Sequence, residues 1–360
     1  MNNKCKVVVS TFNNSKNNYG ALFQSCGLYS FLTQLGYDVS YVAIGKRVRK
    51  VSKKRSLFVI AKGAIKRILL LPHTKKFKIR EVAFKKFASE TQNQIYYATD
   101  EELFLNPPKA DVYVSGSDQV WNPVSMHEDL FLSYAPNGSK KISYAASMGN
   151  ESIPNENKDR FVKYLKDYSA ISVREDTVID IVSPYVDITV NQNIDPVFLK
   201  RIEDWKSLEK KYDKLKFDKF ILVYAIEWNS EFDKRLSLIK KEMGLPVVSI
   251  NIGNIKKICA NQVVYDASPN EFLYLLDKAE CVVATSFHGI ALSIIYNKPF
   301  LAISGSNKPT RINSLMRHFD IEIEKTLEYG ADEFSKINKI IEMDRVCAKN
   351  YLMNAIEGKV

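Results

Sequence analysis

Short apolar runs alternate with helical segments along this chain, and the alternation breaks and restarts near residue 200. CKVVVSTF (5–12) reads as a strand, the polar loop NNSKNNYG (13–20) follows, ALFQSCGLYSFLTQLGY (21–37) has helical spacing, and DVSYVAI (38–44) is a second strand. Strand, helix and strand in that order make a βαβ unit, which fixes parallel pairing and a helix on one face of the sheet. ADVYVSGSD (110–118), KISYAASMG (141–149), SAISVRED (169–176) and VDITVNQNIDPVFL (186–199) continue the strand pattern. The charged stretch 201–218 reads as a linker or connecting helix. Strands are then expected at 219–226, 246–252, 279–285 and 297–304, with helices at 230–243 and 269–278. The expected architecture is α/β, with two Rossmann-like domains and a cleft between them. We place the N-terminal domain at 1–200, the C-terminal domain at 201–345 and a C-terminal helix at 346–360.

Composition excludes several classes. At 46% hydrophobic and 26% charged residues the chain is an ordinary globular protein. Its five cysteines are scattered with no CxxC pair, which argues for reduced thiols and against a disulfide frame or a zinc site. MNNKCKVVVSTF lacks a long apolar leader, so no signal peptide is expected and the expected location is the cytoplasm. No metal and no bound cofactor is expected, and nothing in the sequence fixes an oligomeric state.

The net charge of +11 is concentrated. Residues 46–90 hold sixteen Lys and Arg against two acids, Glu81 and Glu90, a local +14 that leaves −3 for the rest. A basic insertion interleaved with Leu, Ile, Val and Phe fits a patch resting on an anionic membrane surface, or a solvated helical face. Nucleic acid is not expected, because no recognised nucleic-acid motif accompanies the charge.

The candidate chemistry lies at strand ends. From Cys281 to Asn297 seventeen residues carry no acid, Lys or Arg, yet His288 and Gly289 sit in the middle. CVVAT reads as a buried strand, SFHG as the turn at its carboxyl end and IALSIIYN as a helix on the sheet. Ligands of open α/β sheets bind at such ends, where helix N–H groups favour anions. There His288 points into a cleft, and Gly289 lets backbone approach a ligand; the alternative is a core histidine bonded to a neighbouring carbonyl. Ser117, Asp118 and Gln119 follow another strand, Arg174 follows a third, and Lys308 and Arg311 follow the last. Asn18, Tyr19 and Gly20 close the loop at the first βα junction. Singly, these read as an N-cap, a surface ion pair or a turn. Together they form one edge equipped with a histidine, several cations and a carboxylate, which suits an anionic donor.

NNYGALFQSCGLYSFLTQLGY, GSDQVWNP, ISYAASMG, ISVRED, NIDPVFL and TSFHGIALSIIYNKPFLAI, in that order, resemble the polysaccharide pyruvyl transferase family over residues 7–320. The resemblance implies a fold like that of the GT-B glycosyltransferases. It also implies transfer of pyruvate from phosphoenolpyruvate to a sugar of a cell-surface polysaccharide or its lipid-linked precursor, with a cyclic ketal and phosphate as products. His288 corresponds to the family's histidine and Arg174 to the arginine of its strand end. Some members carry an arginine two residues before the histidine, where this chain has Ser286; that cation is absent or replaced by Lys308 or Arg311.

On this resemblance His288 is the candidate general acid and Asp118 a candidate base or a loop-orienting residue. Arg174, Ser286, Gly289, Lys308, Arg311, Asn18, Tyr19, Gly20, Ser117 and Gln119 are the candidate substrate-binding residues. Tyr19, Trp121 and Tyr144 could stack on sugars or belong to the core. The expected partners are phosphoenolpyruvate, a glycan or lipid-linked oligosaccharide acceptor, and a membrane face reached through 46–90. Two other readings stand beside this one. One is a GT-B glycosyltransferase that uses a nucleotide sugar, with Glu227 or Asp266 as the ribose carboxylate. The other is a non-catalytic member that binds a glycan or a partner.

Overall fold

The computed structural model describes residues 4–13, 17–48, 70–227, 229–253, 259–303, 310–323 and 326–358. Two five-stranded parallel sheets carry the fold. The first contains β1 (Lys6–Ser10), β2 (Asp38–Lys46), β3 (Gln94–Thr99), β4 (Val112–Ser115) and β5 (Lys140–Ser143), in the order β3-β2-β1-β4-β5. A short parallel pair, β6 (Ile171–Val173) and β7 (Val190–Gln192), extends it through bridges from Ile142 to Ala170 and from Ala146 to Val173. The second contains β8 (Ile221–Tyr224), β9 (Val247–Ile250), β10 (Gln262–Val264), β11 (Cys281–Ala284) and β12 (Phe300–Ala302), in the order β10-β9-β8-β11-β12. Both orders reverse beside the first strand of their sheet, the switch point of a doubly wound fold. All four residues of β4, β8, β9 and β11 are buried, as expected for parallel strands covered on both faces.

The sequence pattern located most of these elements. The helices at Ser230–Met243 and Pro269–Lys278 fall where the spacing put them. The 141–149 run is a strand only to Ser143; beyond it the chain leaves the ladder, with Ala145 and Gly149 at positive φ. The charged 201–218 stretch holds one short helix, Ile202–Lys206, pinned because the Trp205 Nε1–H donates to Val197 O at 3.1 Å. The basic insertion is described only at its ends. Its last part forms a helix, Thr74–Thr91, while 49–69 lie outside the described residues.

The chain does not end in a separate helix after 345. One helix, Ala331–Glu357, carries the chain from the second sheet back onto the first. There the Tyr351 hydroxyl donates to Ser143 O at 2.7 Å, and Lys140 Nζ donates to Ile356 O at 2.7 Å. Arg345 ties the same helix to the joint through Phe198 O and Lys200 O.

An aromatic cluster holds the halves together. Helix α1 (Tyr19–Gln34) presents Tyr19 and Phe23 toward Phe272, with ring centroids at 4.6 and 5.5 Å, and Tyr19 also meets Tyr224 edge-on. Burying each such ring contributes about 1.5–3 kcal/mol, so this seam is a core rather than a wet contact. It leaves the cleft at the carboxyl ends of β1, β4, β8 and β11.

Candidate active site

The cleft is a cavity of about 590 Å³ lined from both sheets. Thr11, Phe12, Asn13 and Arg47 come from the ends of β1 and β2, and Asp118, Gln119 and Asn122 from the end of β4. Ile226 and Glu227 follow β8, and Thr285 to His288 follow β11. Arg311, on the helix Thr310–His318, closes one side.

His288 sits in the first turn of the helix Phe287–Ile295 and is 6% exposed. Its Nε2 has no hydrogen-bond partner among the described residues. It faces Asp195 Oδ2 at 3.6 Å, an ion-pair distance too long for a hydrogen bond. The other side of the ring lies against α1. A Cβ added to Gly20 would stand 2.1 Å from His288 Nδ1, so only glycine at 20 leaves the ring where it is.

Asp195 organises the site and was not singled out by the sequence reading. Its Oδ2 accepts from Arg174 Nη1 at 2.7 Å and from Ser117 Oγ at 3.3 Å, while its Oδ1 accepts from Val197 N at 3.0 Å. Burial alone raises such a carboxyl. The facing His288, then Arg174 and the Val197 amide, outweigh burial and hold it well below the usual carboxylate range. The only signal in the sequence was the Asp-Pro step of NIDPVFL, a turn-initiating pair.

Arg174 is buried and ion-paired with two carboxylates, Glu175 and Asp195, though its Nη2 makes no hydrogen bond among the described residues. Besides Asp195, it donates from Nε to Glu175 Oε1 at 3.0 Å and lies 4.2 Å over the Phe287 ring. Burial lowers its pKa, but Glu175 and Asp195 raise it by more, so the guanidinium stays charged. It does not line the cavity that holds His288; it lines a neighbouring one with Asp195 and Arg311, and Asp195 and Glu175 occupy the fork that was expected to grip the donor. Ser117 is likewise buried, its one hydroxyl proton shared between Ala145 O at 2.9 Å and Asp195 Oδ2 at 3.3 Å.

Of the cations expected at the site, Arg311 lines the cleft. Its guanidinium forms no ion pair among the described residues. With its amide oxygen turned toward Arg311, Gln119 accepts from Nη1 at 2.8 Å and Nη2 at 3.0 Å. Burial lowers its pKa, and the neighbouring Arg174 charge adds to that. Lys308, the other expected cation, lies outside the described residues.

Asp118 occupies the left-handed region at φ 70°, just beyond β4, and lines the cavity. Its carboxylate receives no hydrogen bond among the described residues, while its backbone carbonyl takes N–H bonds from Val120 and Ser147. Ser286 precedes the histidine helix without capping it and lines the same wall.

Other expectations are corrected by packing. Tyr19 is fully buried at the seam and its hydroxyl donates to Ala267 O at 2.7 Å, so it meets no ligand. Trp121 and Tyr144 are also wholly buried, Trp121 against Phe131 and Tyr168. Gly289 packs its helix onto the second sheet: an added Cβ would lie 3.0 Å from Tyr224 and 3.1 Å from Ala284. Asn18 lines the cavity and caps α1, accepting from Ala21 N at 3.2 Å. Asp266 is held by Tyr212 and Lys214 away from the cavity, whereas Glu227 lines it. The aromatic rings that do line the cavity are Phe12 and Phe287.

Two Rossmann-like sheets with a polar cleft at their carboxyl edges define a GT-B-type architecture. The model of the polysaccharide pyruvyl transferase family matches residues 18–307, and the chain belongs to that family, whose members are transferases of polysaccharide biosynthesis. No curated protein matches the sequence. Among solved structures, a UDP-N-acetylglucosamine 2-epimerase superposes with a TM-score of 0.54 at 9% identity, over 100% of this chain and 98% of that one. A putative UDP-N-acetylglucosamine 2-epimerase from Listeria monocytogenes does so with a TM-score of 0.51 at 9% identity, over 98% and 96%. At such identity the likeness is one of fold.

Proposed function

We propose that the chain transfers pyruvate from phosphoenolpyruvate to two hydroxyls of one sugar, in a cell-surface polysaccharide or its lipid-linked precursor. The products are a cyclic ketal and inorganic phosphate. The observation that carries this reading is the nearly buried His288 Nε2, which has no hydrogen-bond partner among the described residues, beside Asp195 and in a cavity that Arg311, without an ion pair among those residues, also lines.

The donor carries a carboxylate and a phosphate, and Arg311 with the amides opening the histidine helix supplies positive charge for them. Protonated His288 gives a proton to the methylene carbon, which becomes the methyl group. Positive charge then develops at the enol carbon and a sugar hydroxyl adds there, its proton taken by Asp118. The second hydroxyl attacks the same carbon as phosphate departs, its proton leaves with the phosphate, and the ketal closes. Asp195 touches no substrate; it keeps the imidazolium in place and Arg174 keeps Asp195 in place.

The membrane face enters through the helix Thr74–Thr91. Lys75, Lys78, Lys85 and Lys86 are exposed there together with Ile79 and Val82, spaced so that they share one face. That combination suits an anionic lipid surface, which would bring the enzyme near a lipid-linked acceptor. No helix among the described residues is long and apolar enough to cross a membrane.

The test is mass spectrometry of candidate acceptors after incubation with phosphoenolpyruvate, and in parallel with nucleotide sugars. A gain of pyruvate less water, with phosphate released, is the expected result. A gain of a hexose from the nucleotide sugar alone contradicts it and favours Glu227 as a ribose carboxylate.

A further inference from the structure

We propose that the wall of the cleft built on β1 and β2 is an acceptor subsite for a sugar bearing a negative group, a carboxylate or a phosphate, and that Arg47 reads that group. The proposal rests on the pyruvyl-transfer reading for what lies on the other wall, and it goes beyond it by assigning a charge to the acceptor.

Arg47 follows the last residue of β2 and is held from one edge only. Its Nε lies 3.0 and 3.3 Å from the two Asp129 oxygens, and its Nη2 lies 2.8 Å from Oδ2. Asp129 is buried, so this pair fixes the plane of the guanidinium. A guanidinium clamped through Nε and Nη2 keeps the Nη1 corner for a second partner. Among the described residues Nη1 donates no hydrogen bond, the Arg47 side chain is 25% exposed, and it lines the same cavity as His288, Asp118 and Arg311. If Arg47 served only to neutralise Asp129, a fully buried pair or a lysine would suffice. The free corner points to a second anion.

The surroundings are those of a sugar site. The half-buried Phe12 ring lies 5.6 Å from the Arg47 guanidinium carbon and meets His127 edge-on. It presents apolar surface of the kind on which sugar C–H faces rest. Asn122 spends its Oδ1 on the amides of Val124 and Ser125, at 3.0 Å each, and lines the cavity, where its amide N–H donors would serve acceptor hydroxyls. Arg311 and His288 belong to the second sheet's side of the cleft, so a donor anion there and an acceptor anion at Arg47 are served by separate cations.

The experiment is calorimetric titration of the full chain with three probes: a glucuronic-acid disaccharide, N-acetylglucosamine 1-phosphate and a neutral disaccharide. One anionic probe is expected to bind at least about tenfold more tightly than the neutral one, and the better of the two names the carboxylate or the phosphate. Arg47→Gln is expected to bring that probe down to the neutral level while leaving phosphoenolpyruvate affinity unchanged. Arg47→Lys, which keeps a charge beside Asp129 and loses the fork, serves if the first variant fails to fold and is expected to lose most of the preference. Equal binding of all three probes overturns the proposal, as does a loss in the variants that is the same for all probes. A fall in phosphoenolpyruvate affinity on substitution also overturns it, by moving Arg47 to the donor. Wild-type chain that ignores phosphoenolpyruvate but keeps an Arg47-dependent anion preference upholds the subsite and strikes the donor instead.

Discussion

His288 Nε2 and Asp195 Oδ2 face each other at 3.6 Å although 93 residues separate them in the chain, and the carboxylate that closes this gap is anchored by Arg174 at 2.7 Å. The histidine comes from the helix after β11 of the second sheet, and Asp195 from the turn after β7, the strand that extends the first. The pair exists only while the two halves are packed together.

Substitution of Asp195 tests this directly. Asp195→Asn keeps the shape, removes the charge facing His288, and is expected to lower kcat by about 10²–10³ with a smaller change in phosphoenolpyruvate affinity. Asp195→Ala leaves Arg174 short of a partner and should cost about 3–5 kcal/mol in denaturant unfolding. The sign of the pH effect follows from its depressed pKa: the stabilisation is present above the unfolded carboxyl value of about 3.9 and is lost as pH falls below it. The wild type should therefore destabilise more steeply than Asp195→Asn below about pH 4.

Gly20 is a second lever on His288, from the opposite side. Gly20→Ala places a methyl where the imidazole ring stands, so the ring must shift. Activity should fall by about 10² or more, because a displacement on the order of 1 Å costs that much. Thermal unfolding should reveal an overpacking cost of about 1–3 kcal/mol. Unchanged turnover in Gly20→Ala would mean that the ring's position does not matter.

Arg311 is expected to carry the donor. Arg311→Gln should raise the phosphoenolpyruvate Kd by about 10- to 100-fold, read by calorimetry, through loss of a charge-assisted pair of about 1.5–3 kcal/mol. Tyr19→Phe makes the contrast. It removes one buried hydrogen bond to Ala267, should cost about 1 kcal/mol of stability, and should leave donor and acceptor affinities unchanged.

The helix Thr74–Thr91 gives a separate prediction. Lys75, Lys78, Lys85 and Lys86 changed together to Glu should abolish flotation with anionic liposomes, and high salt should do the same to the wild type. Retention of the variant on those liposomes contradicts the membrane role.

The doubly wound sheets were legible because buried parallel strands are continuous apolar runs, as in CVVA and ILVY. β3 was missed because QIYYAT is an edge strand of mixed burial, and β10 because three residues give no period. His288 was legible as a polar interruption of an apolar run. Asp195 was not, because one carboxylate before a proline reads as a turn and its partners lie 21, 78 and 93 residues away. Arg174 and Arg311 were both read as cations of the site, and nothing in the sequence signalled that Glu175 and Asp195 occupy the Arg174 fork while Arg311 has no ion pair among the described residues. Tyr19 read as a loop aromatic and proved to be the centre of the seam, because its partners Phe272 and Tyr224 are distant in sequence.

The central claim is that a proton reaches the methylene carbon of phosphoenolpyruvate before a sugar ketal forms. The direct measurement is mass spectrometry of an acceptor glycan incubated with the chain and phosphoenolpyruvate in D2O. The account predicts an acceptor heavier by pyruvate less water, with one deuterium in the new methyl group, and no such product from His288→Ala. An unmodified acceptor with the wild-type chain across anionic and neutral glycans, or a ketal formed equally well by His288→Ala, would contradict it.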